Sequence, residues 1–88
     1  MITLRGPVNS PQAAVLSGMA VGDTLRVAVD SSGVAPVLVV ETAAGNRAGS
    51  LTMANYLLVI GCIDRGHDYE AMIMAINGGI YDVRVTRV

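Results

Sequence analysis

Residues Thr52–Ile76 constrain the fold of this chain more strongly than any other stretch. They read TMANYLLVIGCIDRGHDYEAMIMAI and combine an amphipathic segment, a helix stop and the start of a long apolar strand. Apolar residues at helical spacing predict a helix near residues 52–64, with Thr52 as its cap. Gly66 is placed to end it, because glycine readily adopts the left-handed conformation that closes many helices.

The apolar stripe of this predicted helix is wide. Its members are Met53, Tyr56, Leu57, Ile60 and Ile63, and it is broadened by Leu58, Val59 and Cys62. Such breadth predicts a lid that is buried on two sides. Gly61 lies within the pattern and weakens the helix by about 1 kcal/mol relative to alanine. We expect close packing against a neighbouring backbone to be the reason for it.

The residues before the helix predict strands and turns. A first edge strand is expected at Ile2–Leu4, ended by Gly6-Pro7, and Gln12–Ser17 is open to a short helix capped by Ser10 or to a loop. Three further strands are predicted to form a meander with tight connections. These strands are Thr24–Val29, Val37–Thr42 and Arg47–Leu51.

The residues after the helix predict a hairpin. Tyr69–Ile76 is apolar on both faces, which is typical of a central strand or of a strand at a subunit contact. Asn77-Gly78-Gly79 is a strong turn signal, and Ile80–Val88 alternates as its partner strand. The 88 residues are therefore expected to form a single domain, 1–88. It is mainly β with one α-helix, a small curled antiparallel β-barrel of OB or SH3-like kind with five or six strands.

The composition is more apolar than a small monomeric domain requires. Hydrophobic residues make up 52% of the chain, its mean hydropathy is +0.54, and it contains no Phe and no Trp. Small chains with surplus apolar surface often bury it against a copy of themselves. We therefore expect a homo-oligomer that associates through Met72, Met74 and Ile76, on one face of the two-faced strand.

Charge and cysteine content narrow the function classes. The net charge is −1, with six arginines, no lysine and seven carboxylates, which disfavours a general nucleic-acid coat. The single cysteine, Cys62, excludes an intrachain disulfide and a cysteine-based zinc site, and it is compatible with a reducing cytosol. Neither a signal peptide nor an apolar run of membrane-spanning length is visible, so a cytoplasmic protein without a membrane partner is expected.

The order of elements from Gly49 onwards resembles the second half of HIRAN domains. The residues that carry the resemblance are Gly49-Ser50-Leu51, Ala54, Leu57-Leu58, Ile60, Gly66, Tyr69, Ala71 and Val83-Arg84-Val85. The resemblance extends over roughly residues 22–87 and implies a small β-barrel related to OB-type folds. Some members of that family bind single-stranded DNA ends, and others are short stand-alone bacterial or phage chains. The turn that corresponds to the family's ligand-contacting turn is Asp30–Pro36, which has no aromatic residue and no Asn-Pro.

Individual residues suggest little chemistry. His67 lies between Asp64 and Asp68, and we interpret this cluster as a solvated turn after the helix and predict no metal site. Cys62 in an apolar helix is predicted to be a packing residue. No acid, base and nucleophile set can be assembled, so no catalytic residue and no cofactor are predicted and an enzyme is not expected.

A modest ligand surface is the remaining prediction. Arg47, Arg84 and Arg87 are expected on neighbouring strands, with Tyr69 or Tyr81 beside them. The first hypothesis is a non-enzymatic HIRAN-like binding module whose ligand is a single-stranded nucleic-acid end or a protein surface. The alternative is a self-associating structural or inhibitory protein of phage or mobile-element type that acts through protein–protein contacts.

Overall fold

The computed structural model describes residues 3–53 and 55–88, which form one antiparallel sheet of six strands curled into a half-barrel. The strands are β1 (Leu4–Pro7), β2 (Thr24–Asp30), β3 (Val37–Glu41), β4 (Arg47–Leu51), β5 (Tyr69–Asn77) and β6 (Ile80–Arg87). The helices are α1 (Ala13–Leu16) and α2 (Tyr56–Asp64). The strand order across the sheet is β1-β6-β5-β2-β3-β4. The predicted fold class is confirmed.

The two predicted hairpin systems are both observed. β2, β3 and β4 are consecutive in the sheet, so the predicted meander is confirmed. β5 and β6 pair along their full lengths through the two-residue turn Gly78-Gly79, whose φ angles are 56° and 86°. Positive φ at both turn positions matches the right-handed twist of the strands, which is why glycines are found there.

The N-terminal segment closes the open side of the sheet. β1 runs to Pro7 and is not broken at Gly6-Pro7, because proline is tolerated in an edge strand that has one partner. Ile2 lies outside the described residues. Asn9 then exchanges backbone hydrogen bonds with Ser50, and the Gln12 amide donates to the Ala48 carbonyl at 2.8 Å. These bonds satisfy the edge of β4, which would otherwise be free to pair with another chain.

The helical alternative for residues 12–17 is the observed one, with different bounds. α1 spans Ala13–Leu16 and buries Leu16 completely. Its N-cap residue is Gln12, and Ser10 has a φ of 50° outside the helix, so the predicted Ser10 cap is wrong. Packing of Leu16 into the barrel stabilises a helix that is too short to form alone.

The core fills the concave side of the sheet. Every strand and both helices contribute buried side chains to it, among them Leu16, Leu25, Leu38, Val40, Leu51, Val59, Ile73, Val83 and Val85. In the described part of the chain, no helix is long and apolar enough to cross a membrane.

A β-bulge at Met74 divides the residues that were expected to form one self-association face. Ile73 pairs with Val83 and Ala75 pairs with Asp82, so Met74 is an additional residue in β5. Beyond the bulge the alternation is shifted, and Ile76 packs against the core while Met72 and Met74 do not. The prediction that Met72, Met74 and Ile76 share one face is therefore wrong.

Helix α2 begins later than predicted and is less buried. It starts at Tyr56 with Asn55 as N-cap, so Thr52 does not cap it. The Gly66 stop is confirmed: the Gly66 amide donates to the Ile63 carbonyl and the His67 amide to the Cys62 carbonyl, which is a complete Schellman motif. The φ of Gly66 is 94°, the left-handed value that the motif requires.

The helix is not buried on two sides. Only Val59 and Ile60 are buried in α2, whereas Leu57 is 60% exposed and Leu58 is 55% exposed. A Cβ atom built on Gly61 meets nothing within 4 Å, so the expected close contact between Gly61 and a neighbouring backbone is absent. α2 thus lies on the barrel as a lid with one covered side.

Candidate interaction surface

The outward side of α2 carries a small apolar surface, with the exposed Arg65 at its C-terminal edge. At about 100° per residue, Leu58 and Gly61 point away from Tyr56, Val59 and Ile60, which pack toward the core. Leu57 flanks them at the side of the helix. We call the surface formed by Leu57, Leu58 and Gly61 the α2 face. Two adjacent leucines that are each more than half exposed make this side of the nine-residue helix a candidate contact surface.

A hollow adjoins the α2 face at the start of the helix. It has a volume of about 340 Å³ and is open to solvent. Its lining residues are Thr52, Met53, Asn55, Tyr56, Leu57 and Leu58. The Thr52 hydroxyl oxygen accepts a hydrogen bond from the side-chain nitrogen Nδ2 of Asn9, which ties this corner to the N-terminal segment.

Two more exposed valines lie at the same end of the barrel. Val34 is fully exposed in the β2–β3 loop, and Val37 opens β3 with 36% exposure. Leu38 pairs with Leu51, so the start of β3 lies beside the segment that leads into α2. The apolar character of this end therefore extends beyond the helix.

The two ends of α2 differ in how their charges and caps stabilise the helix. Asn55 has a φ of 70° and makes no side-chain capping bond, and the first turn contains no acidic residue. The last helical residue is Asp64, and the C-cap residue that follows it is Arg65, whose positive charge offsets that carboxylate. A helix has partial positive charge at its N-terminus and partial negative charge at its C-terminus, so an acid stabilises the first end and destabilises the second.

The five residues predicted to bind a ligand do not form one surface. Arg47 lies on β4, whereas Arg84 and Arg87 lie on β6, and β4 and β6 are not neighbours in the sheet. Arg84 is exposed directly opposite Arg5 in the β1–β6 register. Arg87 lies opposite Tyr69. A ligand-binding role for any of them stays a prediction.

Arg47 is engaged within the sheet. Arg47 on β4 forms an ion pair with Asp30 on β2. The ion pair spans the outer face of β3, which lies between these two strands, and Val39 on that strand is only 3% exposed. Hydrogen bonds from the Ser32 hydroxyl, from Arg47 and from the Ser32 amide hold the pKa of Asp30 well below its usual range. Arg47 therefore fastens the β2–β3–β4 meander.

Both predicted tyrosines pack against the core. Tyr69 is only 4% exposed, and a hydrogen bond with Cys62 together with burial raises the pKa of its phenol. Tyr81 is half-buried, and its hydroxyl donates to the Leu16 carbonyl at 3.4 Å. Cys62 is half-buried against the same core, which confirms its predicted packing role.

Other polar groups in the described residues form no recognisable reactive arrangement. Asp64, His67 and Asp68 do not come together as three metal-ligating groups. A broader groove of about 500 Å³ lies where β5 begins, and its lining mixes Arg26, Asp68 and Glu70 with apolar residues. Because Arg26 lies directly opposite Glu70 across β2 and β5, the opposite charges of this groove offset each other.

Comparisons with protein-family models, with curated proteins and with solved structures find no match to this chain. The resemblance to HIRAN domains consequently stays a prediction. Of its residues, Leu57-Leu58 lie on the α2 face, Tyr69, Ala71, Val83 and Val85 are buried, and Ala54 lies outside the described residues.

Sequence reasoning missed the exposure of Leu57 and Leu58. The signal that would have shown it is the angular position of each residue on the helix. When Val59, Ile60 and Ile63 point inward, Leu58 is on the opposite side. Counting apolar residues showed a broad stripe but did not show which part of it faced the sheet.

Proposed function

We propose that this chain is a non-enzymatic binding module with a HIRAN-like barrel, and that its ligand is a protein surface. The observation that carries the proposal is the α2 face, where Leu57 and Leu58 are more than half exposed beside an apolar hollow. Exposed apolar patches rimmed by polar residues mark protein contacts, whereas nucleic-acid interfaces are more polar and strongly positive.

The pairing of the arginines also favours a protein ligand over a nucleic acid. Arg5, Arg26 and Arg47 lie within ion-pair distance of Asp82, Glu41 and Asp30 respectively. Paired cations release fewer counterions on binding phosphates, so half of the chain's positive charges contribute weakly to nucleic-acid affinity. A protein ligand requires no such charge concentration.

Site-specific photocrosslinking in the producing cell tests the proposal. A photoreactive amino acid is placed at Leu57 and, in a matched control, at Val21, which is equally exposed but lies before β2 at the opposite end of the barrel. We expect a protein adduct of discrete mass at position 57 and none at position 21. Equal adducts at both positions, or none at 57, would exclude the α2 face as the binding surface.

A second candidate function is binding of a single-stranded nucleic acid. The observation that favours it is that Arg84 lies directly opposite Arg5 across β1 and β6, where Asp82 is the carboxylate within ion-pair distance of Arg5, so two cations share one anion. Fluorescence anisotropy with short single strands at low salt is the test, comparing the unmodified chain with Arg84→Glu and with a distant control, Arg65→Glu. Binding that Arg84→Glu alone abolishes would support this function, and no binding at tens of micromolar protein would reject it.

The alternative of a self-associating structural or inhibitory protein of phage or mobile-element type shares the protein-contact chemistry. It is supported by the aliphatic excess of the composition and by the exposed leucines. The thiol of Cys62 favours a reducing compartment, so the cytoplasm is the proposed location.

A further inference from the structure

The tip of the β5–β6 hairpin places an asparagine directly before a glycine. Asn77 is the last residue of β5, and Gly78 is the first residue of the two-residue turn. Both residues are exposed, and so are Gly79 and Ile80, which complete the turn. The side-chain amide of Asn77 and the peptide bond that follows it therefore lie at the water-exposed end of the hairpin.

Two features of this site favour a reaction between the neighbouring groups. Glycine has no Cβ, so its backbone nitrogen can approach the preceding side chain without hindrance. Within residues 3–53 and 55–88, the Gly78 amide donates no hydrogen bond and the Asn77 side chain makes none. The nitrogen and the carboxamide are therefore both available to react with each other.

We propose that Asn77 is a site of spontaneous covalent modification, at which the chain converts this asparagine to aspartate and isoaspartate. The Gly78 nitrogen loses its proton to solvent and bonds to Cγ of Asn77, and the bond from Cγ to Nδ2 breaks so that ammonia leaves. Water then opens the five-membered imide at one of its two carbonyls. One opening gives an aspartyl residue, and the other gives an isoaspartyl residue, whose backbone continues through the side-chain carbon. Water is the only co-reactant.

Ring closure requires the Gly78 nitrogen to turn toward the Asn77 side chain, so the end of the hairpin has to open. This end is held by the Asn77–Ile80 pair, which is the last pair of the β5–β6 ladder. Ile80 is 59% exposed, so its side chain contributes little packing that opposes the movement. Weakly packed ends of this kind open locally while the rest of the sheet stays folded. The reactive pair is therefore accessible in the native protein.

The other three asparagines of the chain are internal controls. Asn46 and Asn55 are exposed as well, but Arg47 and Tyr56 follow them, and the side chains of these residues hinder ring closure. The remaining one, Asn9, is half-buried, and its side-chain nitrogen donates a hydrogen bond. Exposure alone predicts modification at three positions, whereas a following glycine predicts it at one.

The modification changes the backbone close to the core. An isoaspartyl residue lengthens the chain by one methylene group beside a two-residue turn, and it is this turn that fixes the register of the two strands. The next pair inward is Ile76 with Tyr81, and both side chains pack against the core. The Tyr81 hydroxyl also donates to the Leu16 carbonyl at 3.4 Å. We therefore expect the isoaspartyl form to melt at a lower temperature than the unmodified chain.

Ageing of the purified chain followed by peptide mapping tests the proposal. The chain is incubated in mildly alkaline buffer and digested with trypsin, and a sample digested before ageing is the reference. Because the chain has six arginines and no lysine, trypsin separates its four asparagines into the peptides 6–26, 27–47, 48–65 and 66–84. We expect a gain of one dalton in peptide 66–84 before it is detectable in the other three. Part of this product should accept a methyl group in an isoaspartate methyltransferase assay.

Two variants separate the chemistry from its consequence. Asn77→Gln keeps the carboxamide but would have to close a six-membered ring, which is slower, so its peptide 66–84 should stay unmodified over the same time. Asn77→Asp carries the new charge on an ordinary backbone. We expect the aged chain to melt below both variants, because only the aged chain contains the longer backbone. An aged chain as stable as Asn77→Asp would overturn the expected disturbance of the hairpin.

Two results would overturn the modification site itself. The first is a peptide 66–84 that ages no faster than peptides 27–47 and 48–65, because the following glycine would then have no effect. The second is modification of Asn77 that occurs only when the chain is unfolded in urea, because the folded hairpin would then protect it. Modification of Asn77 in the folded chain, ahead of the other asparagines, supports the proposal.

Discussion

The β5–β6 hairpin and helix α2 are both rich in apolar residues, and they bury their side chains differently. In the hairpin Ala71, Ile73, Val83 and Val85 are completely buried, and the bulge at Met74 turns Ile76 toward the core as well. In α2 only two of nine residues are buried, and its two adjacent leucines are open to solvent.

The difference follows from how each element is covered. A strand inside the sheet has a neighbour on both sides, and its alternate residues reach the core by geometry alone. A helix on the sheet has one contact side, and every apolar residue beyond that side remains exposed. Surplus hydrophobicity in a lid helix is therefore a better indicator of an interaction surface than surplus hydrophobicity in a central strand.

The largest expected effect compares a buried residue of the β5–β6 hairpin with an exposed residue of helix α2. Ile73→Ala removes a completely buried side chain and should lower the free energy of unfolding by about 2–5 kcal/mol. Leu57→Ala should change it by no more than about 0.5 kcal/mol in the monomer, because the side chain is mostly exposed. Denaturant unfolding at low protein concentration measures both. Similar losses for the two variants would show that Leu57 contributes to the core.

A smaller change in stability is expected when each of two glycines is replaced by alanine. A Cβ on Gly49 would lie 2.3 Å from the Val8 Cγ1 atom and 2.8 Å from the Asn9 carbonyl oxygen. Gly49→Ala should therefore destabilise the chain by about 1–3 kcal/mol through overpacking. Gly61→Ala should stabilise the monomer by up to about 1 kcal/mol through helix propensity alone.

Thermal melting of the two alanine variants in dilute solution checks this comparison. Opposite signs are expected at the two positions. A stable Gly49→Ala variant would mean that the N-terminal segment moves freely away from β4, contrary to its backbone hydrogen bonds with Ser50 and Ala48.

The smallest expected effect concerns the outer face of the meander. Hydrogen bonds lower the pKa of Asp30 from its ordinary value of 3.8, so the contribution of this carboxylate to stability is complete above about pH 4 and is lost as the pH falls through the folded-state pKa. Asp30→Asn should be less stable than the unmodified chain at pH 7, and the difference should shrink below about pH 4.

Urea unfolding at a series of pH values measures this change. Glu41→Gln is a suitable control, because Glu41 lies on the same face and its ion pair with Arg26 is longer, at 3.9 Å. A difference between Asp30→Asn and the unmodified chain that stays constant down to pH 2 would contradict the assigned ion pair.

Much of the β-sheet could be predicted from the sequence. The alternation in Thr24–Val29 and the Asn77-Gly78-Gly79 turn each predicted their elements, because both signals are local. The bulge at Met74 could not be predicted, since it depends on how β6 pairs with β5 after Ile73. The separation of Arg47 from Arg84 likewise depends on strand order, which residue spacing does not contain.

The sequence by itself determined that this chain is a small, mainly β barrel with one late helix that stops at Gly66. Those features follow from periodicity and from turn and cap residues that act within a few positions. Only the tertiary structure decided which side of α2 is covered, that Gly61 faces open space, and that Ile76 belongs to the core. Each of these depends on the placement of one element against another, and an apolar residue is equally suited to either side of a contact until that placement is made.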